Sequence, residues 1–320
     1  MFSDLIVGYL FLGGAGGGFL LLLCALEYAN TSRNFLARLA FPLGFFELAW
    51  LICAAVIATS IAFLVADLGV SDRFFLVITM PTASPLTVGA YSLMLAFGIA
   101  LMFAYLSHTS EGYASTIPVQ KLKGVPRMLG RSNRFVYGMY ILEALGSIAG
   151  IIIMLYTGLM LSAMPSVVAW GTPLVPCLFV LSSLSCGIAL IFIAAAFTES
   201  RQTFFQSLAR FTTFDTILIV LEALCLAAYI AWCFYGSYTR EAGDALLKGA
   251  LAPWMWGTLV LCGLCAPVFL ERLITRQNYR NQLLWIAGGI LVGGFALRYC
   301  IVALAVLDPS IVYSVALPAA

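Results

Sequence analysis

An all-α integral membrane protein with eight transmembrane helices is the fold this sequence predicts, and three observations predict it. Of the 320 residues, 63% are hydrophobic and only 9% are charged, where soluble domains carry about 25% charged residues. Mean hydropathy is +1.05. Eight apolar segments, near 7–29, 39–66, 85–107, 135–164, 173–198, 212–236, 251–270 and 283–307, are each long enough to cross a hydrocarbon core of roughly 30 Å as a helix. They form one membrane domain over 1–320, expected as two four-helix bundles. The connecting loops are short, so a large catalytic domain is expected on another polypeptide.

The first segment carries Gly13-Gly14-Ala15-Gly16-Gly17-Gly18 between Tyr9-Leu10-Phe11-Leu12 and a run of leucines. In water each glycine costs a helix about 1 kcal/mol against alanine. In lipid the backbone has no rival way to satisfy itself, so glycine survives and gives a surface that a neighbouring helix or a flat ring can approach. No basic residue precedes this segment and no small-residue cleavage pattern follows it, so it reads as a helix that stays rather than a signal peptide. The second segment holds Glu47 two turns from one end and closes at Asp67, ahead of Arg73, a possible structural partner. The third ends at His108, the single histidine of the protein. One histidine cannot supply the paired axial ligands of a helix-bundle haem. If the protein handles electrons, an organic carrier such as a quinone is then the natural cofactor, with neither haem nor iron–sulfur cluster expected in this chain.

The fourth segment holds Glu143 near one end and Tyr156 near the other. They are separated by about 20 Å of helix and point about 140° apart, so one helix face does not connect them. The fifth starts after Trp170-Gly171-Thr172-Pro173, and the sixth carries Asp215 and Glu222. In the seventh, Cys262 and Cys265 have CxxC spacing without a second pair, and they read, like the other seven cysteines, as small apolar residues. The eighth holds Gly288-Gly289, Gly293-Gly294 and Arg298.

Orientation follows from the loops. Those after segments 1, 3, 5 and 7 hold Arg33, Arg38, Lys121, Lys123, Arg127, Arg131, Arg134, Arg201, Arg210, Arg272, Arg276 and Arg280, against Arg73, Arg240 and Lys248 in the others. The positive-inside rule then puts both termini outside the cytoplasm, and the expected location is a bacterial or archaeal cytoplasmic membrane. Net charge is +2, and topology accounts for the basic loops, so lipid rather than nucleic acid is the expected surroundings. Tyr9, Gly13, Asp67 and Tyr156 fall in the outer half. Glu27, Glu47, Glu143, Asp215 and Glu222 fall in the inner half, and Arg298 in the outer half of the last segment. Intramembrane charges are costly and are functional candidates by default. Glu47, Glu143, Glu222, Arg298 and His108 are read as proton-pathway candidates, against structural hydrogen bonding by protonated acids and an interfacial histidine.

Tyr9-Leu-Phe-Leu-Gly-Gly-Ala-Gly-Gly-Gly resembles the first-helix motif of the NrfD/polysulfide reductase membrane-subunit family. Leu155-Tyr-Thr-Gly-Leu-Met-Leu-Ser-Ala and Thr172-Pro-Leu-Val-Pro-Cys-Leu-Phe-Val-Leu-Ser-Ser-Leu-Ser-Cys-Gly are more specific matches. Pro253-Trp-Met-Trp, Leu297-Arg298-Tyr299 and a helix-4 glutamate also fit, over nearly the full length. DMSO reductase anchor subunits are relatives in role. The resemblance implies a haem-free subunit that exchanges electrons between menaquinone or ubiquinone and an extracytoplasmic, ferredoxin-like subunit with several iron–sulfur clusters. That subunit would in turn serve a molybdopterin or multihaem catalytic subunit. It also implies a quinone site near the outer face, on Tyr9, Gly13, Gly14, Gly17, Asp67 and Tyr156, with Tyr9, Asp67 and Tyr156 as the reactive groups. The alternatives are a secondary transporter with broken helices and midplane carboxylates, or a passive membrane anchor. No internal repeat supports the transporter.

Overall fold

Long apolar runs without water to compete for their backbone leave one outcome, the helix, and every element among the described residues is helical. The structure is a computed structural model and describes residues 4–31, 43–67, 85–109, 133–164, 167–198, 202–236, 239–273 and 279–304. The order is α1 (Asp4–Thr31), α2 (Leu43–Asp67), α3 (Pro85–Thr109), α4 (Asn133–Ser162), a 3-10 turn (Val168–Trp170), α5 (Leu174–Ala196), α6 (Gln202–Tyr235) and a short α7 (Arg240–Leu247). Then comes α8, wound as a π-helix over Trp254–Cys265 and as an α-helix over Ala266–Arg272, and finally α9 (Tyr279–Ala303). Eight of these are long and apolar enough to cross a membrane.

Three local differences from the sequence reading have physical causes. α6 begins ten residues ahead of the apolar segment, because the amphipathic stretch 202–211 continues the helix beyond its apolar part. α7 is too short and too polar for a hydropathy pattern to reveal. The wide winding of α8 shows in the Ala266 N–H, which bonds to the carbonyl of Leu261 five residues back. Pro267 follows at once; it has no N–H, and its ring disfavours regular α winding in the preceding turn.

α1 is the centre of the packing. It contacts α2, α4 and α5 extensively, and α9 to a lesser extent. α2 packs on α3, α3 on α4, α5 on α6 and α9, and α8 on α9. The α1–α5 seam is the tightest. A Cβ at Gly18 would fall on the backbone carbonyl of Ser183, and one at Gly187 would lie 2.7 Å from the Gly18 carbonyl carbon. Only glycine permits that approach, and the two helices meet backbone to backbone.

The α1 amino terminus, the α2 carboxyl terminus and the α4 carboxyl terminus share one end of the bundle, called here the Tyr9 end. There the 3-10 turn is fastened from two sides. Trp170 Nε1 donates to the carbonyl of Ile301 on α9 at 2.7 Å, and the Tyr229 hydroxyl of α6 donates to the carbonyl of Ala169 at 3.0 Å. The loop residues Arg33, Arg38, Arg73, Lys121, Lys123, Arg127, Arg131, Arg201 and Arg276, on which the orientation reading rests, lie outside the described residues.

Candidate functional site

Tyr9 and Tyr156 are 147 positions apart, and their hydroxyls hydrogen-bond to each other inside the protein. Both residues are buried, with the rings tilted at 58° and their centroids 6.4 Å apart. Helix geometry delivers them. Tyr9 lies near the start of α1 and Tyr156 near the end of the antiparallel α4, so the pairing of these helices brings both to one level. The Tyr156 hydroxyl also reaches Met160 Sδ at 3.5 Å, and Ser60 Oγ of α2 donates to the Tyr9 carbonyl at 3.3 Å.

Sequence reasoning misses one determinant of this pair. Gly89 of α3 faces the Tyr156 ring so closely that a Cβ there would coincide with ring atoms. A glycine one turn into an apolar segment carries no signal until its neighbour is known. Asp67 closes α2 at the Tyr9 end and is half-buried. The glycines of α1 turn to different neighbours. A Cβ at Gly13 would lie 3.1 Å from Ser60 Oγ, one at Gly14 would lie 2.6 Å from both Arg298 Nη2 and Ser183 Oγ, and one at Gly17 would meet Ile153 and the Gly150 carbonyl of α4.

The remaining candidates fall into three groups. Glu27 and Glu143 are buried within electrostatic range of one another. Trp50 Nε1 donates to Glu27 Oε1 at 3.1 Å, and Trp50 stacks on Phe103 at 4.6 Å between centroids. Among the described residues, Glu27 Oε2 and both Glu143 carboxyl oxygens have no hydrogen-bond partner. Glu47 pairs with His108 Nδ1 at 2.7 Å, joining α2 to α3 at the end opposite Tyr9, and the histidine side chain is 75% exposed. The third group centres on Arg298. It is fully buried, and its Nη1 donates to Ser182 Oγ at 3.1 Å and to the Gly294 carbonyl at 2.9 Å. Its Nη2 donates to Ser183 Oγ at 2.7 Å. The guanidinium also lies over the rings of Phe11 and Phe179, 5.7 and 5.2 Å from their centroids, a cation–π arrangement.

Among the described residues no carboxylate lies within salt-bridge distance of Arg298. Glu222 lies within electrostatic range of it, and Ser182, which accepts from Arg298, lines a cavity together with Glu222. The serine hydroxyl accepts from the guanidinium and keeps its own proton to donate. Cys262 and Cys265 are free and exposed on the outer side of α8.

A family model described as polysulphide reductase, NrfD matches residues 1–308. The protein belongs to the NrfD polysulphide reductase family. The C subunit of the polysulfide reductase of Wolinella succinogenes is 26% identical over 302 residues, 92% of this protein and 91% of that one. Protein NrfD of Escherichia coli is 30% identical over 163 residues, 50% of this protein and 51% of that one. The NrfD homolog of Haemophilus influenzae is 26% identical over 187 residues, 57% of each. The match thus spans nearly all of the Wolinella protein but only about half the length of the two NrfD proteins. Membership in the NrfD family, with eight apolar helices, makes this a multi-pass membrane protein of the kind that serves reductase complexes.

Proposed function

We propose that this protein is the quinone-reactive membrane subunit of a respiratory oxidoreductase, and that its quinone site is built on the Tyr9–Tyr156 pair. The observation that carries the reading is that pair: two buried phenols in mutual contact, on two different helices, at one end of the bundle. The donor set fits the group. A ring carbonyl takes a neutral hydroxyl donor, and a ring hydroxyl needs an acceptor; phenols serve as both. Gly89 makes the space that the Tyr156 ring fills, and Gly13, Gly14 and Gly17 let Ser60, Arg298, Ser183 and α4 come up to the α1 surface beside the pair. A bound quinol supplies two electrons and two protons. Tyr9 and Tyr156 then hold the ring oxygens and exchange protons with them, while Asp67, at the same end, is the carboxylate that passes a proton to or from the water layer.

The complex is assigned to a bacterial or archaeal cytoplasmic membrane, with the Tyr9 end and both termini outside and the helices grouped as two four-helix bundles. Packing of α1–α4 on one another and of α5, α6, α8 and α9 around α5 and α9 supports that grouping, with α5 also seated on α1 and α4 across the two groups. An outside location suits a ferredoxin-like, multi-cluster iron–sulfur partner, feeding a molybdopterin or multihaem subunit. Menaquinone and ubiquinone share the ring oxygens on which the reading depends. Proton exchange with the inner side is assigned to Glu222 and Arg298, with Glu143, Glu47 and His108 as the competing route on the α1–α4 side.

The test is Tyr156→Phe in the assembled complex. Quinol-dependent reduction is expected to fall ~100-fold, the lower range for losing a positioned acid–base group, with partner subunits still copurifying. Full activity with intact assembly would reduce the protein to a passive anchor.

A further inference from the structure

The polar interior of α5, α6, α8 and α9 contains a second pair of facing side chains, and the residue that makes it, Glu271, has no place in the quinone reading. Asp215 of α6 is fully buried and Glu271 of α8 is half-buried. Each uses one carboxyl oxygen on a hydroxyl donor. Ser185 Oγ donates to Asp215 Oδ1 at 2.8 Å, and Thr216 Oγ1 donates to Glu271 Oε2 at 2.5 Å. Among the described residues, the other oxygens, Asp215 Oδ2 and Glu271 Oε1, receive no hydrogen-bond donor. Thr216 adjoins Asp215 on α6, so its bond to Glu271 sets the two carboxyls side by side, where they interact electrostatically. Carboxylates have no proton to offer, so the contact becomes a hydrogen bond only when one of the pair carries a proton. Two bare carboxylates at that separation, away from water, would repel strongly.

The surroundings give that proton somewhere to go. Ser185, which donates to Asp215, also lines a cavity bounded by Ser182, Glu222 and the close α8–α9 contact at Gly263 and Gly293. The cavity is just large enough for one water molecule, and its two serines and one carboxyl supply the polar partners a buried water needs. Glu222 is itself buried and lines the cavity wall. Beyond it stand Ser182 and Arg298, whose Nη2 lies against Gly14 of α1. Gly14 is five residues, about 7.5 Å of helix rise, from Tyr9. Titratable and charged groups facing this line are Asp215 and Glu222 on α6, Glu271 on α8, Arg298 on α9 and Cys186 on α5.

We propose that Asp215 and Glu271 form a proton-sharing carboxyl pair that takes up protons at Glu271 and passes them through Ser185 and the cavity to Glu222. One proton moves and nothing is oxidised. The Ser185 hydroxyl turns its proton from Asp215 toward water in the cavity and gives it up there as it accepts the pair's proton from Asp215 Oδ1. That water protonates the Glu222 carboxylate, and Glu271 is reprotonated from the bundle end opposite Tyr9. The pair stands on its own geometry; only the proton's final use rests on the quinone reading.

Infrared difference spectroscopy of the full-length protein in lipid nanodiscs at neutral pH, without quinone, tests the pair. Asp215→Asn and Glu271→Gln are both expected to abolish or displace one and the same protonated-carboxyl band, and Ser185→Ala is expected to shift it. Two independent bands, or no band affected by both substitutions, overturns the pair. In the complete complex in liposomes, charge moved per quinol oxidised is expected to be lost in Glu271→Gln. A ratio equal to wild type overturns the relay. Charge movement in wild type that requires sodium at constant pH would likewise overturn it, in favour of a metal-cation path. Failure of the quinone reading shows separately, as full activity of Tyr156→Phe.

Discussion

The α1–α4 and α5–α9 halves each bury a set of acids, and the two sets differ in what lies between them. Glu27 and Glu143 are close together, with three carboxyl oxygens that receive no hydrogen bond. Toward Tyr156, past Ser147, whose hydroxyl bonds back to the Glu143 carbonyl, the contacts along α4 are dry. A Cβ on Gly150 would lie 2.7 Å from the Gly17 carbonyl and 3.2 Å from Leu21, and Ile153 packs on Gly17 beyond it. Asp215, Glu222 and Glu271 are spaced instead by serines, a threonine, a water-sized cavity and an arginine. An intramembrane carboxylate becomes a proton carrier only where hydroxyls or water continue the path. Residue type alone does not distinguish the two sets; continuity does.

The largest effect expected from this contrast is at Glu222. Glu222→Gln should slow proton uptake coupled to quinol turnover ~100-fold, read with a pH indicator in proteoliposomes. Glu143→Gln should slow it far less, and equal or reversed effects would move the route to the α1–α4 side. Next comes the dry seam. Gly150→Ala drives a methyl against the Gly17 backbone, which cannot give as a flexible side chain would, and should cost about 1–3 kcal/mol. Thermal unfolding in detergent measures it, and an unchanged midpoint would show that the seam has slack. The smallest effect is at the surface. Glu47→Gln removes the exposed pair with His108 and should change stability by at most about 1 kcal/mol. A larger loss in the same assay would mean that this pair is tied into the buried acids.

Much of this contrast is legible in the sequence, but as an inventory rather than a circuit. Hydropathy locates eight spans, because lipid leaves the backbone no alternative. The depths of Tyr9 and Tyr156 follow from their distances to the ends of antiparallel helices, and the structure brings the two together. Depth does not reveal azimuth, so the sequence leaves the partners of Glu143 and Glu222 open. Glu271 escapes notice because it stands beside Arg272 at the end of an apolar segment, where a charge usually marks the membrane surface. Ser182, Ser183 and Ser185 offer a signal: small polar residues inside an apolar helix tend to face another helix. What they face, Arg298 from more than a hundred residues away, depends on how α5 and α9 rotate against each other. Gly89 gives no signal at all, since its role exists only in the position of the Tyr156 ring.

The seam between α1 and α5 has a mechanical consequence. Where Gly18 and Gly187 bring two backbones into contact, there is no cushion of side chains across which one helix can slide on the other. The tyrosine-bearing helix and the helix that holds Ser182 and Ser183 therefore move as one girder. A machine with such a girder through its middle is poorly made for rocking between two open forms. It is well made for keeping fixed the short gaps that protons and electrons cross by hopping.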